Sequence, residues 1–250
     1  MYKLLGLLAV ALAGNMFAAG AALADGGFYL SLDGGAAFFQ EDDSYSVSAN
    51  DANLPNPDTA IGGVDLDTGY MIGGAVGYDM GSGIRLEAEI AHRFGAQGSS
   101  RVVDYESGGG DNQTFLSEAD ITSTSVMAIA NFDIATLFES DMGAFSPFVG
   151  IGLGTSNNEM GASSPMLASG PSLGTVPGDS HWDFAWKLTA GTGIKVGEKI
   201  YLDLAYAYTD LGTAEASDGV SLNFGVYLLD SGSIELQAHE LSLGIRFLLY

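Results

Sequence analysis

The chain has 250 residues and no cysteine, and it carries 31 Asp and Glu residues against 8 Lys and Arg, a formal net charge of −23. A charge this negative repels the phosphate backbone and offers no basic patch, which excludes nucleic acid as a partner. The lack of cysteine excludes disulfides, thiolate metal sites and cysteine nucleophiles. No Pro- or Ser-rich linker divides the chain, and this favours a single domain.

The N-terminus has the pattern of a cleaved secretory signal peptide. Lys3 precedes the apolar run from Leu4 to Ala13, and Ala22-Leu23-Ala24 places small residues where signal peptidase cuts. We predict cleavage after Ala24, which leaves residues 25 to 250 as the mature domain. A membrane anchor is the alternative, but this run is half of the roughly 20 residues that a spanning helix needs. No later segment has that length either, so membrane integration would require strands.

Apolar and polar residues alternate with a period of two along much of the mature chain, which predicts β-strands. The clearest segment is 84 to 94, where Leu86 and Ile90 alternate with Glu87 and Glu89. Each strand is about ten residues long, as a tilted membrane-spanning strand requires. We predict an all-β, eight-stranded antiparallel up-and-down transmembrane barrel with strands at 28–39, 70–79, 84–94, 121–133, 145–154, 182–194, 200–208 and about 236–249.

The connections between these strands alternate in length. Those at 80–83 and 195–199 are short, that at 134–144 is intermediate, and four are long: 40–69, 95–120, 155–181 and 209–235. Outer-membrane barrels have short periplasmic turns and longer extracellular loops, so both termini are expected in the periplasm. The apolar segment 220 to 229 would make a ninth strand, whereas single-chain bacterial barrels have even numbers. We therefore interpret residues 219 to 240 as a hairpin within the last loop.

Aromatic residues on the outward faces cluster near the strand ends, with aliphatic and small residues between them. This distribution predicts two aromatic girdles at the membrane interfaces and favours a membrane barrel over a soluble β-sandwich. The predicted girdle residues are Phe38, Tyr70, Phe94, Trp182, Tyr206 and Tyr208 at the external rim, and Phe28, Tyr78, Phe132 and Phe247 at the periplasmic rim.

Charged residues of both signs fall on the opposite, lumen-facing positions. An eight-stranded barrel is just wide enough to be filled by its side chains, so we expect these charges to form a structural salt-bridge network. The acidic surplus leaves open a narrow, cation-preferring path for ions. The predicted lumen network consists of Asp33, Arg85, Glu87, Glu89, Arg93, Lys187, Asp203, Glu240 and Arg246.

The remaining acidic and histidine residues form no recognisable catalytic or metal motif. The long loops hold most of the acid, but EF-hand spacing is absent, so neither a metal nor a cofactor is predicted. His239 and Ser242 are three residues apart, on opposite faces of a strand, which disfavours a catalytic pair. We expect no enzymatic activity and no catalytic residues, and a lipid hydrolase or acyltransferase is the remote alternative.

Several segments resemble the OmpA-like outer-membrane β-barrel domains, a family of small barrels that includes opacity-type surface antigens and porin-like proteins. They are Phe184-Ala185-Trp186-Lys187-Leu188, the turn Gly197-Glu198-Lys199, residues 202 to 212, and the closing strand from His239 to Phe247. The resemblance implies a location in the bacterial outer membrane, contact with outer-membrane lipids and lipopolysaccharide, and insertion by the barrel-assembly machinery. Two positions depart from the family: Ala207 replaces a usual basic residue, and Tyr250 is out of phase with the outward Phe247.

These observations lead to one expected function and one principal alternative. The expected function is structural and surface-interacting, in the manner of an antigen or adhesin, with long acidic extracellular loops and an external ligand that the sequence does not name. The alternative is a narrow, cation-preferring, porin-like channel.

Overall fold

The computed structural model describes residues 26–40, 42–51, 58–104, 113–167, 170, 172, 174–218, 220–221, 226–230 and 233–249. The predicted signal peptide and Tyr250 lie outside the described residues. Within these ranges there are thirteen strands and one helical turn: β1 Gly27–Phe39, β2 Asp42–Asp51, β3 Asp58–Leu66, β4 Gly69–Asp79, β5 Ile84–Asp104, β6 Gln113–Asp133, α1 Ile134–Leu137, β7 Phe145–Met160, β8 Met166–Leu167, β9 Asp179–Lys195, β10 Ile200–Glu215, β11 Val220–Ser221, β12 Val226–Asp230 and β13 Ser233–Leu248.

Eight of these strands close into a ring in which every neighbour is antiparallel. The order is β1, β4, β5, β6, β7, β9, β10, β13 and back to β1. The closing pair places Leu30 of β1 opposite Phe247 of β13, and Leu30 is also opposite Val76 of β4. Closure satisfies the backbone polar groups of both edges, as a bilayer demands. The predicted eight-stranded up-and-down barrel is confirmed, and each predicted strand corresponds to one strand of the ring.

Several ring strands continue far into the segments predicted as loops. β5 and β6 are each 21 residues long and stay paired up to Asp104 and Gln113, so residues 95–104 and 113–120 of the predicted long connection are paired strand. β7, β9, β10 and β13 extend in the same direction. In the first predicted loop, β2 pairs with β3, and β3 pairs with the end of β5.

We call the level of Phe38, Tyr70, Phe94 and Tyr206 the rim. Below the rim the outward face of these strands is apolar, and beyond it the inward face is apolar. On β5, Ile90 and Phe94 are exposed on the outside below the rim. A β-bulge follows, with Gly95 at φ 79°, and beyond it Ala96 is buried while Ser99 is exposed. Glycine suits this bulge because side chains disfavour positive φ. The part between the rim and the turns at 80–83 and 196–199 is the lower barrel. The part beyond the rim, with β2, β3, β8, β11 and β12, is the upper barrel.

The apolar segment near residue 220 is not in the ring. β11 and β12 pair with each other, and β12 pairs with β2 in the upper barrel. This agrees with a hairpin inside the last loop. The hairpin is shorter than the predicted 219–240, because β13 begins at Ser233, close to the predicted strand start at about 236.

Candidate functional site

The interior of the lower barrel is filled by charged side chains held in specific contacts. Nearest the short turns, Arg246 forms a two-pronged ion pair with Asp203, with Nε–Oδ2 and Nη2–Oδ1 distances of 2.9 and 3.0 Å. Its guanidinium lies over the ring of Tyr201 at 4.5 Å and over that of Tyr29 at 5.6 Å. The Tyr29 hydroxyl donates to Glu87 at 2.5 Å. This end of the lumen is therefore a packed cluster of charges and aromatic rings.

Glycine makes room for one of these rings. A Cβ atom on Gly77, which is opposite Tyr29 in the β1–β4 register, would lie 2.1 Å from the Tyr29 ring. No side chain fits there unless the ring moves. The fully buried Tyr29 ring thus depends on a glycine in the neighbouring strand.

The middle of the lumen is crossed by a fully buried ion pair. Arg93 Nε lies 2.5 Å from Glu240 Oε1, and Arg93 also donates to Ser125 at 2.9 Å. The second Glu240 oxygen accepts from Thr209 at 3.1 Å. Ala207, which the resemblance suggests stands in place of a basic residue, is directly opposite Glu240 in the β10–β13 register. Arg93, on the far side of the ring, supplies a positive charge to Glu240.

A second buried cation stands beside this pair. Lys187 Nζ is 2.6 Å from Glu89 and 3.9 Å from Glu240, so the lysine bridges two carboxylates. In a barrel core, charges of this kind are tolerated only when paired.

A polar cavity of about 90 Å³ remains between the two charged layers. Arg85 lies against the Phe148 ring at 5.0 Å, and its Nε has no hydrogen-bond partner; the buried Asn131 Oδ1 has none either. Asp33 lines the cavity and forms no ion pair within 4 Å among the described residues. The structure thus gathers all nine predicted lumen residues into one interior, with Asp33, Arg85 and Glu87 outside the ion pairs.

Above the charged layers the interior becomes apolar. The hydrophobic core begins beside the charged layers, where Met127 and Ile129 of β6 are opposite Glu89 and Glu87 of β5. It continues beyond the rim into the upper barrel, where its members are Val64, Ile121, Met160, Leu211, Ala214, Ile234 and Leu236. Asn158 of β7 crosses this interior and donates to the carbonyls of Leu211 and Thr213 on β10 at 2.7 and 2.9 Å. Ser123 donates to the side-chain oxygen Oδ1 of Asn158 at 2.7 Å. Because β7 and β10 are separated by β9 in the ring, these bonds join two wall strands that are not paired with each other.

Most predicted girdle residues lie on the outside of the barrel, with one difference. Tyr78 is only 8% exposed, because the Phe28 ring packs edge-on against it with 4.9 Å between ring centroids. The exposed predicted residues are Phe38, Tyr70, Phe94, Trp182, Tyr206 and Phe247, and Phe28, Phe132 and Tyr208 are partly exposed.

Several aromatic residues of these groups were missed by sequence reasoning. The Trp186 ring packs on the Tyr208 ring with 5.3 Å between centroids. Trp186 has the same strand parity as Trp182, and this parity could have identified it as a girdle residue. Tyr29, Phe148 and Tyr201 face inward beside arginines. Their inward parity was visible in the sequence, but their arginine partners come from other strands.

Two of the histidines are embedded in aromatic and polar contacts at the rim. His239 Nδ1 forms a hydrogen bond with the Tyr206 hydroxyl at 2.6 Å, and its Nε2 is 2.9 Å from the Gln40 amide nitrogen. His92 stacks on Phe94 and contacts Thr124 Oγ1 at 2.9 Å. None of these contacts couples a histidine to a serine with an orienting carboxylate, the arrangement that nucleophilic hydrolysis needs.

The outward face of the upper barrel is acidic. Its exposed carboxylates include Asp65, Asp67, Glu118, Asp120, Glu159, Asp179 and Glu215. The four long inter-strand segments contain one Lys or Arg residue, Arg101, and it is exposed. In the described part of the chain, no three His, Asp or Glu residues are grouped closely enough to hold a metal ion. No described helix is long and apolar enough to cross a bilayer.

Comparison with known proteins gives a consistent result. The family model described as an outer membrane protein beta-barrel domain matches residues 7–247. Two proteins named "Putative adhesin" are similar to this chain. The protein of Rickettsia typhi is 24% identical over 224 residues, and the protein of Rickettsia massiliae is 25% identical over 234 residues. Each match covers 89% of this chain and 88% of the relative. Among solved structures, the outer membrane protein OprG of Pseudomonas aeruginosa is 15% identical with a TM-score of 0.46, covering 88% of this chain and 96% of its own.

Proposed function

Because this chain belongs to the outer-membrane β-barrel domain family and lies in the bacterial outer membrane, we propose that it is an adhesin-like module for surface interaction. In this proposal the upper barrel stands outside the cell and contacts the partner, while the short turns and both termini lie in the periplasm. The lower barrel anchors the molecule.

The observation that carries the proposal is the construction of the upper barrel. Paired strands, a hydrophobic core and the Asn158 bridge hold it together above the rim. A membrane anchor alone needs strands only as long as the bilayer, about ten residues each. The additional residues of β5 and β6 therefore build a rigid platform. Rigid elements present a binding surface with little loss of conformational entropy on binding.

The charge of that platform indicates the kind of partner. Its exposed carboxylates are opposed by Arg101 alone among Lys and Arg residues, so the platform attracts basic surfaces and repels sulfated or phosphorylated glycans. We propose a cationic protein surface as the partner. The relatives from Rickettsia, named "Putative adhesin", support the surface-interaction part of this proposal.

The closed lumen argues against the channel alternative. An ion would have to pass the Arg246–Asp203 pair, then the Arg93–Glu240–Lys187 layer, and finally the hydrophobic core of the upper barrel. Planar-bilayer recording of the purified protein is expected to give no conductance in either NaCl or CaCl₂. Stable single-channel steps with cation preference would favour the channel.

We also infer that the protein is not an enzyme. The rim histidines His92 and His239 contact Thr124, Tyr206 and Gln40, and these contacts do not activate a nucleophile. Unchanged lipid profiles in cells that overproduce the protein are expected, and new lysophospholipid or acylated lipid would contradict this inference.

The binding proposal is tested by adherence of bacteria displaying the chain to cultured animal cells. A variant with Asp65→Asn, Asp67→Asn, Glu118→Gln and Asp120→Asn neutralises four exposed upper-barrel carboxylates. Adherence is expected to fall by about tenfold, the change that 1.4 kcal/mol produces.

The control neutralises two carboxylates at the other end, Asp79→Asn and Glu198→Gln. It should adhere like the parent chain. Equal adherence of the upper-barrel variant and the parent, at equal surface levels, would overturn the cationic-partner proposal. Adherence no greater than that of cells without the chain would overturn the adhesin-like function itself.

A further inference from the structure

The connection between β6 and β7 exposes more apolar surface than a periplasmic turn requires. It consists of α1 and the residues up to Phe145. Phe138 is 76% exposed, more than any other large hydrophobic side chain of the described residues, and Leu137, Met142 and Phe145 are exposed as well. The other two short-turn connections, 80–83 and 196–199, are tight turns of four residues with glycine.

This connection is a folded segment held by hydrogen bonds at both ends. Asp133 caps α1 by accepting from the Thr136 amide at 3.0 Å, and its own amide donates to the Gly83 carbonyl at 2.7 Å. At the other end, the Lys195 amide donates to the Ala144 carbonyl at 2.9 Å. The apolar side chains are therefore presented by a fixed backbone.

The apolar surface of the connection is continuous with the lipid-facing surface of the barrel. Phe145 is the first residue of β7 and shares its outward face with Val149 and Ile151, both exposed in the lower barrel. Val196 and Ile200, exposed on the next turn along the ring, extend the same surface sideways. No boundary of polar residues separates Phe145 from the face that meets lipid.

We propose that residues 134 to 145 form a membrane foot, a segment whose apolar side chains insert into the phospholipid of the adjacent leaflet. Phe138, Leu137 and Met142 would lie at the boundary between headgroups and acyl chains, where aromatic and apolar side chains of interfacial segments reside. Glu139 and Asp141 in the same segment limit the depth, because carboxylates are costly in the hydrocarbon region. That this leaflet is the periplasmic one rests on the orientation in the proposed function. The contact with lipid does not depend on that orientation.

The foot makes the apolar surface of the barrel taller on the β6–β7 side than on the β4–β5 side. A bilayer adapts to such a difference by local thickening or by tilt of the protein. The foot would therefore fix the tilt of the barrel and with it the direction in which the upper barrel faces.

The cysteine-free chain allows a direct test by single-cysteine labelling with the environment-sensitive dye NBD. The full-length protein is placed in phosphatidylcholine and phosphatidylethanolamine vesicles. Phe138→Cys reports the foot, and Met142→Cys reports it with Phe138 intact. Ser82→Cys, exposed in the turn 80–83 at the same end, is the matched control, and Leu243→Cys in the middle of the lipid-facing face is the depth reference. Heat-modified migration on gels verifies that each variant is folded.

NBD at positions 138 and 142 is expected to emit at shorter wavelength than at 82. It should be quenched at least twofold more strongly than at 82 by lipid carrying a nitroxide near the headgroup, and less strongly than at 82 by iodide. A nitroxide deep in the acyl chain should quench position 243 most. Emission and iodide quenching at 138 and 142 equal to those at 82 would overturn the proposal. Protection from both lipid nitroxide and iodide would also overturn it, since a protein surface would then cover the segment.

Discussion

The lower and upper barrels are built from the same strands but have opposite polarity. Below the rim, the outside is apolar and the inside carries the pairs Arg93–Glu240, Lys187–Glu89 and Arg246–Asp203. Above it, the outside carries carboxylates and the inside is the hydrophobic core. On β13 the outward face carries the exposed Glu235 above the rim and the exposed Leu243 below it. A single strand therefore passes from water into lipid.

The comparison shows that the surrounding solvent decides which face of a strand is apolar. In lipid, the outward face must be apolar and the charges gather inside, where they have to be paired. In water, burial of apolar side chains drives the core and charges stay outside. The bulges at Gly95 and Gly212 mark the transition on β5 and β10.

Removal of one partner of the buried lower-barrel pair should have the largest effect. Arg93→Ala leaves the buried Glu240 with only Lys187, at 3.9 Å, as a cationic neighbour, so the free energy of unfolding should fall by about 3–5 kcal/mol. Urea unfolding in detergent micelles or vesicles measures it. Arg93→Met with Glu240→Leu should recover most of the loss, and Arg101→Ala on the exposed outer face should change stability by less than about 0.5 kcal/mol. An unchanged stability of Arg93→Ala would contradict a charge-paired lower barrel.

The upper barrel should instead be sensitive to apolar truncation. Leu236→Ala opens a cavity in its hydrophobic core and should cost about 2–5 kcal/mol, seen as faster hydrogen exchange of β10 and β13 beyond the rim. Leu116→Ala, the same change at an exposed position of β6, should cost less than about 1 kcal/mol. Equal exchange in the two variants would mean that the upper barrel has no effective core.

The effect of an outward lysine on stability should distinguish the lipid-facing part of a strand from its water-facing part. Ile90→Lys puts a charge on the lipid-facing side of β5 and should cost about 2–4 kcal/mol. Ser99→Lys lies on the same strand beyond the bulge, opposite Glu118, and should alter stability by no more than about 0.5 kcal/mol. The rim would be misplaced if both variants were equally destabilised.

The smallest effect is expected at Asp33, the lumen carboxylate that has neither an ion pair nor a hydrogen bond like that of Glu87 with Tyr29. Asp33→Asn removes a charge from the cavity without changing its shape, so the protein should gain on the order of 1 kcal/mol. Denaturant midpoints compared with those of Asp203→Asn, which breaks the Arg246 pair and should be destabilising, provide the check. A loss of stability in Asp33→Asn would show that this carboxylate has a partner.

The sequence predicted the lower barrel well because its outward face follows one rule along every strand. Parity located the eight strands and the interior charged set, and the alternating connection lengths and outward aromatics indicated a membrane barrel. The upper barrel was missed because parity shifts at Gly95 and Gly212 and because polar outward residues such as Gln97 and Ser99 resemble a loop. Local composition does not distinguish a water-exposed strand of this kind from a Gly- and Ser-rich connection.

The partners inside the lumen could not be predicted for a different reason. Arg93 and Glu240 are 147 positions apart, and their contact depends on ring closure, which no local pattern encodes. Ala207 shows the limit of resemblance: the basic residue that the resemblance suggests is absent there, and the positive charge beside Glu240 comes from another strand.

The central claim, that the upper barrel stands outside the cell, is tested most directly by labelling intact cells with a membrane-impermeant maleimide. Ser99→Cys reports the upper barrel and Ser82→Cys the short-turn end, in a chain with no other cysteine. The account predicts that position 99 is labelled in intact cells and that position 82 is labelled only after the outer membrane is permeabilised. Labelling of position 82 but not position 99 in intact cells would contradict it.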